Sequence, residues 1–264
     1  MRRIVVIATA LAVLVAAVSA YAATGGLNTY SANLKFSPNK AGKGSAAATL
    51  AYTQTYHADG NNGNRTAPLS DIKTVIYGLK PDGKDFPTCS LAKIANAKSD
   101  TGCPKGALVA TGRIEATLGP DNDQSATNMQ TQPCNPLLHA WNAGQGKIVF
   151  FFVETATHTC GPIQTGGVPP YPGTIKTVGK NLVQNTPIPN YVSFPITGVE
   201  GSLTSLTLHW KNLSTKLKNG KTVHYATSVA CKGGKRPYSE QFTAETSEGG
   251  TPSSGTVTGT QKCS

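Results

Sequence analysis

The side chains able to do chemistry in this sequence are few and scattered. Its five histidines, His57, His139, His158, His209 and His224, include no H-x-H or H-E-x-x-H spacing, so no local element can supply two metal ligands. No G-x-S-x-G elbow presents a serine nucleophile. A glycosidase needs two carboxylates facing each other across a sugar. Glu115 and Glu154 are the strand glutamates with apolar flanks, but alternation puts Glu115 on a polar face. Asp121, Asp123 and Ser125 have the oxygen spacing that opens a calcium loop, yet Ala126 stands where the glycine is needed and Gln132 where the terminal glutamate is needed. Asp59, Asn61, Asn62 and Asn64 read as a polar turn. No catalytic residue, metal site or cofactor is expected.

The cysteines carry clearer chemistry. Cys89, Cys103, Cys134, Cys160, Cys231 and Cys263 are even in number and contain no C-x-x-C pair, which points to three disulfides rather than to zinc or a reactive thiol. Pairing neighbours closes the shortest loops. Cys89 with Cys103 closes a loop around 90–98, and Cys134 with Cys160 brackets a hairpin in which 137–142 and 147–155 run antiparallel across 143–146. Cys231 with Cys263 follows by elimination. Disulfides on this scale fit an oxidising, extracytoplasmic compartment.

Positive charge is the other resource. There are 24 lysines and arginines against 13 acidic residues; setting aside Arg2 and Arg3, which belong to a leader, leaves 22 against 13 and a formal charge of +9. Lys211, Lys216, Lys218 and Lys221 surround the Asn219-Gly220 turn, and Lys232, Lys235 and Arg236 follow Cys231. These seven are candidate contacts for an anionic wall polymer or acidic polysaccharide, through attraction that weakens with salt. Charged edges also keep strands from pairing with other chains. The Pro-rich segment 168–173 offers Tyr171 as a presented contact. Nucleic acid ranks below these partners, and another protein is the remaining alternative.

The elements that position these residues follow from the patterning. Arg2 and Arg3, an apolar run over 4–18 and Ala20-Tyr21-Ala22 form a signal peptide at 1–22, with the mature domain at 23–264 and no span within it. With 28 glycines, 17 prolines and only 14% charged residues, the chain reads as turn-rich and all-β, which excludes helical bundles. Tyr30, Ala32, Leu34 and Phe36 alternate with polar residues, as do Leu50, Tyr52 and Tyr56, and Leu108, Ala110, Ile114 and Leu118. The unbroken run 148–153 suits a central strand covered on both faces. Later strands are expected at 191–196, 202–210, 223–230, 238–244 and 255–260. Asn219-Gly220 predicts a hairpin that sets the His209 strand across from the His224 strand. A single short helix is expected at 90–98, capped by Ser90. The predicted fold is one antiparallel β-sandwich, jelly-roll or immunoglobulin-like.

Three segments, 36–42 (FSPNKAG), 86–90 (FPTCS) leading to 103–106 (CPKG), and 231–239 (CKGGKRPYS), resemble a group of uncharacterised secreted actinobacterial proteins. The resemblance spans most of the mature chain, and its motifs are structural. It implies an exported, envelope-associated β-protein and transfers no activity. Arg236 stands where related sequences place an aromatic residue. The functional expectation is a secreted, non-catalytic envelope or binding protein; the alternative is a secreted carbohydrate-active hydrolase whose carboxylates are assembled by the fold.

Overall fold

The computed structural model describes residues 23–42, 48–49, 51–161 and 168–264; the signal peptide expected at 1–22 and Leu50 lie outside them. Because successive side chains leave a strand on opposite faces, each alternating stretch becomes a strand with one apolar face. The strands are β1 (Ala23–Gly25), β2 (Asn28–Ser37), β3 (Ala48–Thr49), β4 (Ala51–Gly60), β5 (Leu69–Tyr77), β6 (Leu79–Pro81), β7 (Leu108–Pro120), β8 (Gln132–Cys134) and β9 (Leu137–Gly144). They continue as β10 (Lys147–Val153), β11 (Tyr171–Val178), β12 (Asn181–Pro187), β13 (Val199–Trp210), β14 (Ser214–Lys216), β15 (Thr222–His224), β16 (Ala226–Ser228), β17 (Lys235–Glu245) and β18 (Pro252–Lys262). Two short helices, α1 (Leu91–Ala97) and α2 (Asn190–Ser193), interrupt them.

Thirteen strands form one antiparallel sheet in the order β1-β2-β4-β13-β7-β9-β10-β11-β12-β5-β17-β18, with β8 added beside β7. The last strand of this path, β18, lies against β1 and β2 at its beginning. The sheet is therefore a nearly closed barrel, not the two-layer sandwich that the alternation predicts. Alternation records that a strand has one dry face; it does not record whether that face meets a second sheet or the far wall of the same one.

The seam between β18 and β2 carries no backbone ladder among the described residues and is closed by side chains instead. The inward positions of β18 include Gly255 and Gly259, the register partners of Phe242 and Tyr238 on β17. Over these glycines the two rings reach the rings of β2: Phe242 stacks on Tyr30 at 4.7 Å, and Tyr238 meets Phe36 edge-on at 6.4 Å. Aromatic pairs of this kind contribute about 0.5–1.5 kcal/mol beyond the area they bury.

One end of the barrel is plugged. The small sheet β3-β16-β6 folds over it, and Phe86 packs edge-on against Tyr225 at 5.6 Å. Arg236 lies fully buried there, donating to the carbonyls of Tyr77 and Ala230 and to Asn39 and Ser228, with its guanidinium 5.4 Å from the Phe36 ring centre. The Cys231–Cys263 disulfide ties β18 to the same end.

Strand β10 is covered on both faces, as its sequence requires. Ile148, Phe150 and Phe152 face the barrel interior, while Val149 and Phe151 pack outside against Trp141, Ile94, Ala107 and Cys89. The outer cover is the loop closed by Cys89–Cys103, which carries α1 with Ser90 as N-cap and Lys98 in the left-handed conformation at its end. All three disulfides join the neighbours expected from the spacing. The predicted hairpin of 137–142 with 147–155 forms as β9 and β10.

Three expected elements differ. The strand expected at 223–230 is split into β15 and β16, which belong to different sheets. Residues 191–196 form the end of α2 and an irregular turn, since prolines at 187, 189 and 195 remove ladder donors. Asn219-Gly220 does turn a hairpin, but a short one made of β14 and β15; β13 pairs instead with β4 and β7, and His209 faces Thr53 rather than His224.

Candidate functional site

Inward parity along four strands places polar residues in the barrel wall at one level. Glu240, Thr74 and Gln184 are successive register partners on β17, β5 and β12. Gln54 reaches them from β4 and donates through Nε2 to Glu240 Oε1 and, at 3.1 Å, to Thr74 Oγ1, while its own Oε1 accepts from Trp210 Nε1 at 3.4 Å. A barrel of this many strands is wider than side chains from one wall can fill, and here Gln54 bridges part of the interior. Burial pushes the Glu240 carboxyl up to about 7, against the hydrogen bonds from Gln54 and Thr74, which favour its ionised form.

On the plugged side of this layer the interior is filled by rings, with Tyr52 stacked on Trp210 at 5.3 Å. On the other side lies a cavity of about 100 Å³, on a measure by which about 10–15 Å³ holds one water. Its wall is almost entirely apolar, including Tyr56, Ile114, Phe150, Phe152, Tyr171 and Leu206. The lining residues Val168, Ile188, Val192, Pro195 and Leu203 are only half-buried, so the cavity reaches the surface beside α2. Next to that mouth Tyr191 and Ile196 are 39% and 53% exposed, an apolar lip. The Cys134–Cys160 disulfide forms part of the same wall.

The rim is held by a buried ion pair. Arg65 Nη2 stands 2.9 Å from Glu200 Oε1, with the two side chains 3% and 1% exposed. Arg65 also donates to the carbonyls of Pro120 and Asp123, and Gln124 donates to Glu200 Oε2. These bonds fasten the 121–131 loop over the barrel end. Burial raises the Glu200 carboxyl more than Arg65 lowers it.

The residues singled out from the sequence are dispersed. Tyr171 is not a presented contact: it is the first residue of β11, shares parity with Gly173 and Ile175, and turns inward to stack on Phe150 at 5.3 Å. Arg236 is not a surface cation, because its charge is consumed inside the plug. Lys216, Lys218 and Lys221 are exposed on the β14–β15 hairpin, Lys232 on the turn before β17 and Lys235 at the start of that strand; Lys211 is half-buried, which lowers its ammonium pKa. Glu115 pairs with Arg113 on the outer face at 3.1 Å, and Glu154 accepts from the Cys160 amide. Asp123 accepts from Ser125 N and Asn128 Nδ2, and Asn61 holds Thr29 and the Gly26 carbonyl, so both oxygen-rich loops use their side chains internally.

Two carboxylates that the sequence reading passed over, Glu200 and Glu240, are fully buried. Parity does mark them: Glu240 falls in step with Tyr238 and Phe242, and Glu200 with Ser202 at the start of β13. They do not form a hydrolytic pair. Eight residues of β13, about 26 Å of strand, separate Glu200 from Leu208, the register partner of Gln54. Glycosidase carboxyls stand roughly 5–9.5 Å apart.

Outside the barrel, His139 Nδ1 lies 2.6 Å from Asp100 Oδ2, which also accepts from Trp141 Nε1. The pair staples the end of the α1 loop to β9. Among the described residues, no group of three or more His, Cys, Asp or Glu side chains is arranged to hold a metal ion, and no helix is long and apolar enough to cross a membrane. Comparison with protein-family models, with curated proteins and with solved structures finds no match to this chain.

Proposed function

We propose that this is an extracytoplasmic, non-catalytic binding protein that holds a small apolar ligand inside its barrel. The observation that carries this reading is the apolar cavity between the Gln54 layer and the α2 lip, open at one end and closed at the other. Apolar, concave and preformed sites with a few placed polar groups are the usual form of small-molecule sites, and antiparallel barrels commonly enclose them. The disulfides fit the compartment. The carboxylates support no acid–base pair, which favours binding over hydrolysis.

The test is titration of the oxidised protein, after organic extraction, with the neutral fluorophore N-phenyl-1-naphthylamine. Saturable enhancement is expected, and Ala116→Trp, which fills the cavity from β7, should abolish it with unchanged circular dichroism. If that variant does not fold, Leu203→Phe is the substitute. Absence of saturable binding by the wild-type protein overturns the reading.

A second reading is electrostatic attachment to anionic wall polymers. What favours it is that no acidic residue occurs between Glu200 and Glu240, while Lys216, Lys218, Lys221, Lys232 and Lys235 in that stretch are exposed. Co-sedimentation with isolated wall material should fall steeply with salt and with Lys216, Lys218 and Lys221 changed to glutamine; sedimentation indifferent to both rules it out.

A further inference from the structure

The two ends of the barrel are oppositely charged. Strands β4, β7 and β17 finish at the open end, where Asp59, Asp121, Asp123 and Glu248 are exposed and Glu248 accepts from Asn190 of α2 at 3.2 Å. Arg65, at the same end, is neutralised by Glu200. Strands β2 and β18 finish, and β17 begins, at the plugged end. There Asn39 donates to the Lys262 carbonyl, Lys262 is the register partner of Lys235, and Lys235 exchanges backbone bonds with Lys232 at 2.8 and 3.1 Å. Lys40, Lys232, Lys235 and Lys262 are therefore neighbours, and all four are exposed.

The patch continues across the plug. Val229 N donates to the Gly78 carbonyl and Gly78 N to the Lys180 carbonyl, each at 2.8 Å. This sets exposed Lys180 beside Val178 and Val229, which are 50% and 41% exposed. The negative groups at this end among the described residues are Asp82 and Asp85, on the loop after β6, and the carboxylate of Ser264. None of them stands within 4 Å of a lysine nitrogen: among the described residues the ion pairs are those of His57, Arg65, Arg113 and His139. Like charges set directly opposite on neighbouring strands repel, so Lys235 and Lys262 carry a strain that an anionic partner relieves.

The layout of the patch selects that partner. Its lysines sit at the ends of separate strands and in the turns between them, spread over one end of the barrel, so they meet a plane together rather than a single thread. The exposed valines among them add apolar contact at the boundary of headgroups and acyl chains, while the lysine stems lie along the same surface and their ammonium groups reach lipid phosphates. The acidic open end is repelled by that plane, which fixes the direction of approach.

We propose that the plugged end is a docking face for an anionic lipid bilayer, which seats the barrel with its cavity mouth turned away from the membrane. The proposal is independent of what the cavity holds, and it assigns Lys232 and Lys235 to lipid rather than to wall polymer.

The experiment is co-sedimentation of the oxidised protein with vesicles of equimolar phosphatidylglycerol and phosphatidylcholine, and with vesicles of phosphatidylcholine alone. Binding should require phosphatidylglycerol and weaken as salt is raised. Changing Lys232, Lys235 and Lys262 together to glutamine should weaken it roughly 100-fold, at about five-fold for each lysine near an anionic bilayer. If that variant does not fold, Lys40→Gln with Lys180→Gln takes its place and should weaken binding roughly 25-fold. Val229→Trp should emit at shorter wavelength when vesicles bind and Tyr191→Trp, at the mouth, should not, each read against the emission of Trp141 and Trp210. Equal binding to both vesicles, indifference to the lysine substitutions, or a response from Tyr191→Trp in place of Val229→Trp overturns the proposal. So does attachment to isolated wall material with none to vesicles, which leaves the polymer reading standing. Uptake of N-phenyl-1-naphthylamine is measured without vesicles, so the cavity reading stands or falls separately.

Discussion

Tyr238 of β17 lies across Gly259 of β18 so closely that a β-carbon at 259 would stand 2.3 Å from the phenol carbon and oxygen of the ring. The contact is what lets one strand's aromatic residue cross its neighbour and reach β2. The barrel seam depends on the missing side chain rather than on one that is present.

Gly259→Val should therefore destabilise the protein by about 1–3 kcal/mol, the usual range for overpacking a core. Combining it with Tyr238→Leu should recover part of that loss, because the two sites share one volume. A denaturant-melt double-mutant cycle measures the coupling, and strict additivity would contradict the arrangement.

Glu240 makes stability depend on pH with a defined sign. Its carboxyl is raised by burial from 4.5 to about 7. Below about 4.5 both folded and unfolded chains hold the proton. Between there and about 7 the unfolded chain releases it first, so stability falls as pH rises, and the loss levels off above 7. Glu240→Gln keeps the acceptor for Gln54 and Thr74 but cannot ionise. It should match the wild type near pH 4 and exceed it at pH 8 by roughly 3 kcal/mol, read from urea melts at the two values.

Breaking the buried ion pair should be costly on one side and cheaper on both. Glu200→Gln leaves Arg65 charged in a closed site and should lose roughly 3–5 kcal/mol. Arg65→Met with Glu200→Leu removes both charges and should lose less. Limited proteolysis gives a second readout, since the single variant frees the 121–131 loop that Arg65 anchors and should be cut there first.

The Cys89–Cys103 bridge covers the outer face of β10. Replacing both cysteines with serine should cost about 3 kcal/mol, as expected for a closed loop of this length. As the α1 loop loosens, Trp141 loses its cover and its bond to Asp100, while Trp210 stays in the plugged interior. Emission should shift to longer wavelength, and a Trp141→Phe background should abolish the shift.

Much of the architecture was legible in the residues. The alternation of Tyr30, Ala32, Leu34 and Phe36, the apolar run in β10, the Ser90 cap and the spacing of the cysteines each act over a few residues, through forces that do not need the rest of the fold. The site was legible only in part. Glu240 and Gln54 carry the inward parity of their neighbours, and that parity was the available signal, but charge and polarity suggested solvent. Tyr171 and Arg236 were misplaced for the opposite reason: a proline-rich stretch and a lysine-rich one suggested surface, whereas parity sends both side chains inward.

By itself, then, the sequence determined several of the strands, which cysteines join and where the one capped helix lies, because propensity, pleat and loop closure are local. Only the tertiary structure decided that the strands curl into a single barrel, that Gly255 and Gly259 let aromatic rings close its seam, and that an apolar space is left inside it. Those outcomes depend on contacts between strands far apart in the chain. Their geometry is fixed when every wall of the barrel is in place, not by any one stretch of residues.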